Sequence, residues 1–285
     1  MLKKFSLKLA PSISDPVLDN RQLAAPWMKN WADAIKRVES ISTRGCDFLG
    51  SRFAQELQNN GQCYQNLKDI RLTCEPSVAI NFLTELTQTV TNLTLTMPLE
   101  TRDLRDFENL IKKFASCLEL LSFLISTKGL GEKSRFDLNL PCLARLKKLQ
   151  FYFGFFKDIR NSNIGTYQGH TIKDVARFRL SFPPSRFGGD DLGIDYERHL
   201  PSIRGIIVKP KFWVGPAEFW DTYSDLFDSL LPKQEGRSCQ TLQRLEIPTW
   251  GGEIGEGYLQ AGRLPKVFPN VRNEWMNDLR EMKND

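Results

Sequence analysis

Only two histidines occur in the chain, His170 and His199, beside six cysteines: Cys46, Cys63, Cys74, Cys117, Cys142 and Cys239. A thiol next to an imidazole could act as a nucleophile. Such partners meet in space rather than in sequence, so a cryptic hydrolase stays open as an alternative. The cysteines form no C-x-x-C pair and the histidines no H-E-x-x-H, so their spacing predicts no zinc site. Gly129-Leu130-Gly131-Glu132-Lys133-Ser134 carries the Lys-Ser of a phosphate-binding loop. That loop needs glycine directly before the lysine, and Glu132 stands there. Asp190 and Asp191 could hold a cation, but in a glycine-rich stretch they read as solvated. The run Gly251 to Gly257 lacks the order of a dinucleotide-binding turn, and no G-x-S-x-G elbow is present. The expectation is a protein that is not an enzyme and holds no cofactor or metal.

Composition is that of a globular protein. Of 285 residues, 41% are hydrophobic and 26% charged, enough apolar material for a sizeable core. The net charge of +5 is too small by itself to predict a nucleic-acid surface, which needs clustered cations. No run reaches the roughly 18 apolar residues that span a bilayer. Lys8 and Pro11 interrupt the start of the chain, against a secretory signal. Scattered cysteines fit free thiols, so an intracellular site, cytoplasmic or nuclear, is expected. The sequon Asn92-Leu93-Thr94 falls inside a predicted strand and reads as accidental.

The elements that would position any site follow from a repeat. Apolar residues recur as apolar, two residues, apolar, one residue, apolar. The clear copies are Leu67, Ile70, Leu72; Val90, Leu93, Leu95; Leu118, Leu121, Phe123; and Leu146, Leu149, Phe151. Others are Val175, Phe178, Leu180; Ile203, Ile206, Val208; and Leu242, Leu245, Ile247. Weaker copies are Leu2, Phe5, Leu7; Ile35, Val38, Ser40; and Phe268, Val271, Asn273. From Val90 to Ile203 the four successive intervals are 28 or 29 residues, and that spacing carries the signal. Between the copies lie helical patterns, such as Leu104, Phe107, Leu110, Ile111 and Phe114, or Val78, Phe82 and Leu86 after Pro76. Residues 154–172 and 183–199 read as loops.

Alternating strands and helices also describe a sheet covered on both faces. Such strands are continuously apolar, whereas here polar residues interleave: Asp69 and Arg71 flank Ile70, and Lys148, Gln150 and Tyr152 alternate with Leu149 and Phe151. One wet face is expected. The predicted class is α/β, a solenoid with a curved parallel sheet and helices and loops on its outer side. It is expected to form one irregular domain over 1–285, with weak N-terminal repeats (1–66), the best repeats (67–210), and irregular repeats with a cap (211–285).

These motifs resemble leucine-rich repeats of the ribonuclease-inhibitor-like type found in F-box/leucine-rich-repeat proteins. The resemblance implies a protein-interaction scaffold serving substrate recognition in a ubiquitin ligase complex. The family places Asn or Cys three residues after the last motif apolar, to bond the turn. Glu75, Pro98, Ser126, Gly154, Pro183, Lys211 and Trp250 stand there, so the turns must be held otherwise. No F-box is visible in this sequence.

The exposed strand positions would line the concave face. They comprise Lys4, Lys8, Arg37, Glu39, Asp69, Arg71, Lys148, Tyr152, Arg177, Arg179, Lys209, Arg244, Glu246, Arg272 and Glu274, ten basic against four acidic. The predicted binding residues are Arg71, Lys148, Gln150, Tyr152, Arg177, Arg179, Lys209 and Arg244, on a face suited to an acidic protein partner. Nucleic acid or another polyanion is the alternative. Phe212 and Trp213, before the aromatic stretch Phe219 to Leu231, are the candidate hydrophobic anchor. No membrane partner is expected.

Overall fold

The computed structural model describes residues 3–9, 30, 33, 36–45, 54–58, 64–87, 89–126, 135–154, 177–183, 193–210, 225–234, 236–247, 261–273 and 276–277. The chain divides into two compact units, Met1–Leu124 and Ile125–Asp285. It is an α/β protein whose main strands run mostly parallel.

The first unit holds β1 (Lys4–Leu9), β2 (Ser40–Gly45), β3 (Asp69–Leu72) and β4 (Asn92–Leu99), and enters β5 (Leu120–Ser126). Their order in the sheet is their order in the chain, and β1 through β4 pair in parallel. Parallel neighbours need a crossover, and α1 (Pro76–Glu85) and α2 (Leu104–Phe114) supply it before β4 and β5. Pro76 sits at the start of α1, where its missing N–H costs nothing. A capping box precedes α2: Glu100 accepts from the Asp103 N–H, and Asp103 accepts from the Glu100 N–H at 2.9 Å. Helix α2 buries Leu104, Phe107, Leu110, Ile111 and Phe114, the face its sequence predicts. Phe107 meets Phe123 of β5 with ring centroids 5.1 Å apart. Helix α1 ends in an extended Leu86, and its last carbonyls are met from outside. The Lys113 ammonium of α2 donates to the carbonyls of Thr84 and, at 3.4 Å, Leu83.

Six steps from strand to strand begin with the same hydrogen-bond pattern. One carbonyl accepts two successive N–H groups of the next strand's entry. Lys3 O accepts from Glu39 and Ser40, Glu39 O from Lys68 and Asp69, Lys68 O from Thr91 and Asn92, and Thr91 O from Glu119 and Leu120. In the second unit Lys147 O accepts from Arg204 and Gly205, and Arg204 O from Gln243 and Arg244. This identical entry aligns the apolar rows. Val38, Leu67, Val90 and Leu118 form one row, and Ile41, Ile70, Leu93 and Leu121 the next, all buried. A fully buried Leu or Ile contributes roughly 1.5–3 kcal/mol.

The pairing corrects one repeat. Ile41 lies opposite Ile70, so the second copy is Val38, Ile41, Thr43 rather than Ile35, Val38, Ser40. Thr43 fills an apolar slot and is buried because its hydroxyl accepts the Thr73 N–H at 2.9 Å. The Thr73 hydroxyl donates to the Thr43 carbonyl at 2.9 Å and lies 2.7 Å from the Thr96 hydroxyl. Thr96 also reaches the Leu72 carbonyl at 3.1 Å. This threonine ladder holds the strand ends where an Asn or Cys ladder was missed.

The second unit holds β6 (Arg135–Asn139), β7 (Lys148–Gly154), β8 (Arg177–Ser181), β9 (Gly205–Pro210) and β10 (Arg244–Glu246), with the short helices α3 (Tyr196–His199) and α4 (Leu264–Val267). Strands β7, β9 and β10 pair in parallel in that order. Their rows are Leu146, Ile203, Leu242, then Leu149, Ile206, Leu245, then Phe151, Val208, Ile247, all buried. Phe268 and Val271 are also buried, and Asn273 donates to the Leu245 carbonyl at 2.9 Å, so the last copy keeps the register without forming a strand.

Here the expected architecture needs correction. The copy at Val175, Phe178, Leu180 does not lie between β7 and β9, which pair directly. Strand β8 pairs instead with β6 in a separate two-stranded parallel sheet. Phe178 meets Phe151 from that second layer, centroids 6.2 Å apart. The connections of this unit therefore include the strands β6 and β8. The stretch 183–199, read as a loop, ends in α3. Most of both predicted loops lies outside the described residues.

Candidate functional site

On β7, β9 and β10 the side chains facing away from the apolar rows stand in register. Lys148 lies opposite Gly205 and Gly205 opposite Arg244, while Gln150, Ile207 and Glu246 form the second row. Tyr152 lies opposite Lys209 in the third. Neighbouring strands are about 5 Å apart, so these groups form one surface. The stems of Lys148 and Arg244 both lean over Gly205, where a Cβ would meet them at 3.8 and 3.9 Å. Glu246 bonds both cations on its flank: Lys209 at 3.0 Å and Arg244. Partial burial pushes the Glu246 carboxyl up, but hydrogen bonds and charge from Lys209 and Arg244 outweigh it and hold the group below the usual carboxylate range.

Five of the predicted binding residues are thus gathered on one face: Lys148, Gln150, Tyr152, Lys209 and Arg244. Arg71 is exposed on β3 of the other unit, in register with Ser42 and Thr94. Arg179 does not join the group, because its strand belongs to the second sheet, opposite Asp137. Arg177 shares that displaced strand, opposite Arg135, and its side chain lies outside the described residues. Phe212 and Trp213 also lie outside them, as do the side chains of Lys8 and Glu274.

The wet face is narrower than expected. Ser122 and Leu124 of β5 and Ile207 of β9 occupy away-facing positions, yet each is only 2% exposed. Their strands carry near-continuous apolar runs, Leu120 to Ile125 and Ile206 to Val208, the composition of strands covered on both sides.

Arg179 instead lines a cavity of about 310 Å³ in the second unit, with Asp225, Asp228, Ser229, Lys233 and Arg263. Sequence reasoning passed over these residues. The available signal was the i, i+3 pair Asp225 and Asp228 on the polar side of an otherwise aromatic helix.

Of the two histidines, His199 lies among the described residues. His199 is buried, and its Nδ1 accepts the Asp195 N–H at 3.0 Å. That bond fixes Nε2 as a donor to the Pro183 carbonyl at 3.1 Å. The ring stacks on Phe182, centroids 5.0 Å apart. Burial pulls its pKa below the ordinary value, with Arg198 adding to the effect and the Pro183 bond and Asp195 opposing it. The buried Cys239 thiol, bonded to Thr241, is pushed up by burial and so holds its proton at neutral pH. His170 lies outside the described residues. Among those described, no group of three or more His, Cys, Asp or Glu could hold a metal, and no helix is long and apolar enough to cross a membrane.

No family model, no curated protein and no solved structure matches this chain.

Proposed function

We propose that the chain is a leucine-rich-repeat-type solenoid that binds a protein partner through the polar face of β7, β9 and β10. The observation that carries this reading is the six-fold recurrence of one hydrogen-bonded strand entry. It stacks Lys148, Tyr152, Lys209 and Arg244 in register on one side while their neighbours fill buried rows on the other. Tyrosine and arginine are enriched at protein interfaces, and Tyr152 and Arg244 supply both types on this face. The resemblance to F-box/leucine-rich-repeat proteins suggests a ubiquitin-ligase substrate as the partner class.

The test compares partner capture by the wild-type chain, a Tyr152→Ala/Lys148→Glu variant, and an Arg105→Glu control on α2. The reading expects the same set of proteins from wild type and control, lost from the sheet-face variant. It fails when the sheet-face variant recovers that set unchanged. A ligase adaptor among the proteins captured would carry the ubiquitin assignment, and its absence removes that part.

A further inference from the structure

Arg71, a predicted binding residue that the face of β7, β9 and β10 does not include, heads a row in the first unit. It lies opposite Ser42 of β2 and opposite Thr94 of β4. Neighbouring strands are about 5 Å apart, so a hydroxyl flanks the arginine on each side. The rows before and after it are bonded within themselves. In the one before, Ser40 donates to Asp69 at 3.2 Å. In the one after, Thr73 and Thr96 belong to the threonine ladder. Among the described residues, neither the Arg71 guanidinium nor the Thr94 hydroxyl has a hydrogen-bond or ion-pair partner, and Ser42 Oγ is buried without one.

A buried hydroxyl with no partner costs stability, so its presence calls for an explanation. Arg71 is exposed, and its long side chain can fold over its short neighbours. Folded so, it supplies two parallel N–H donors above a floor of two hydroxyls. These donors match the lone pairs of one carboxylate, each oxygen taking one guanidinium N–H and one hydroxyl. Asp69 stands two residues before Arg71 on the same side of the sheet, roughly 7 Å along the strand. Its charge opposes a second negative charge there, so a singly charged carboxylate fits better than a doubly charged phosphate.

We propose that the row Ser42, Arg71 and Thr94 binds one carboxylate group, with Arg71 closing over it from the solvent side. Bound there, the carboxylate gives Ser42 the acceptor it lacks. The site does not depend on the reading of the β7, β9 and β10 face. The chemistry is the same for a small organic acid and for an acidic side chain of a protein segment, and the probes separate the two sources.

Arginine side-chain N–H resonances, followed by NMR on the full chain at constant ionic strength, test this. The probes are acetate, inorganic phosphate and the blocked tripeptide acetyl-Gly-Asp-Gly-amide, each alone. The Arg71 Nε–H signal, assigned by its loss in Arg71→Lys, shifts saturably with acetate. Half-saturation comes at a concentration about tenfold or more below that for Arg105, an exposed arginine of α2. Phosphate at pH 8, where it is doubly charged, binds about threefold or more weakly than acetate. Ser42→Ala and Thr94→Val each weaken acetate about threefold or more. Ser42→Ala does so without lowering the urea midpoint, because the hydroxyl it removes bonds nothing in the fold itself. If one variant loses its fold, the other decides. Tighter binding of the tripeptide than of acetate supports the site with an acidic protein segment as its source, and acetate binding as tightly or more tightly supports it with a small acid. A response at Arg71 no stronger than that at Arg105, phosphate binding as tightly as acetate, or unchanged acetate binding in both hydroxyl variants overturns the proposal.

Discussion

Replacing Thr73 by Val removes one oxygen from the centre of the threonine ladder and keeps the side chain's shape. The Thr73 hydroxyl has one proton, which goes to the Thr43 carbonyl at 2.9 Å. The 2.7 Å contact with Thr96 is then donated by Thr96, whose proton is shared with the Leu72 carbonyl at 3.1 Å. In Thr73→Val the Thr96 hydroxyl keeps Leu72, so the main loss falls on Thr43, whose residue is 1% exposed. A net hydrogen bond is worth about 0.5–1.5 kcal/mol, and a buried acceptor left alone costs about 1–3. The expected destabilisation is about 1.5–2 kcal/mol.

Urea unfolding of the full chain, followed by a probe confined to the first unit, reads this effect. With a slope of about 2 kcal/mol per molar urea, the midpoint falls by roughly 0.8–1 M. Thr73→Ser restores the oxygen and recovers most of that shift. Thr84→Val is the control, because the exposed Thr84 hydroxyl bonds back to the Ile80 carbonyl within α1, and it should move stability by less than about 0.5 kcal/mol. A cycle with Thr96→Val should show coupling of about 0.5–1 kcal/mol, since the two hydroxyls share a bond. A midpoint shift below about 0.2 M for Thr73→Val, or no coupling to Thr96, would refute the ladder as the device that holds these strand ends.

Two further outcomes follow from single side chains. The folded state lowers the His199 pKa below its unfolded value near 6.5, so the unfolded chain takes up the proton first. Stability from this group is therefore full above about pH 6.5 and falls as pH drops through the folded pKa. Melting of the second unit between pH 8 and 5 should show that loss, reduced in His199→Gln; an equal pH slope in the variant counts against it. Lys113 caps α1 from another helix, and α1 has no basic residue in its own last turn. Lys113→Met should cost about 0.5–1 kcal/mol, because water screens part of the charge, with salt shrinking the difference between variant and wild type. An unchanged urea midpoint would remove the cap.

The sequence was readable where one periodicity had one meaning. In α2 the i, i+3, i+7 face has no strand equivalent, and it is the face found buried. In β3, β4 and β7 alternate polar residues located the away-facing side. Strand β8 defeated the same logic, because alternation identifies a strand and says nothing about which sheet it joins. The 57 residues from Leu146 to Ile203 are close to twice the repeat, so a copy at Val175 fitted the arithmetic. The missed signal was a second segment of the same pattern. Arg135-Phe136-Asp137-Leu138-Asn139 mirrors Arg177-Phe178-Arg179-Leu180-Ser181, and these two pair residue for residue. The copy read at Ile35 ends on the polar Ser40, whereas the pairing ends it on Thr43, whose hydroxyl has a backbone partner and is buried as a valine would be.

The charges on the face of β7, β9 and β10 bear on what it can hold. A polyanion binds by releasing counterions from several uncompensated cations, and its affinity falls steeply with salt. On this face Glu246 engages both Lys209 and Arg244, so much of their charge is already answered before a partner arrives. Exposed pairs of this kind are worth little, about 0–1 kcal/mol, and so yield readily to a better-placed acceptor. A partner carboxylate that displaced Glu246 from Arg244 would leave Glu246 bonded to Lys209, which conserves the pairing on that side. The exchange needs a carboxylate at one place rather than a string of phosphates, and Tyr152, in register with Lys209, adds an apolar contact beside it. The paired charges thus favour an acidic protein segment of defined shape over a nucleic acid. Weak dependence of capture on salt would agree with that reading, and a steep one would return the face to polyanions.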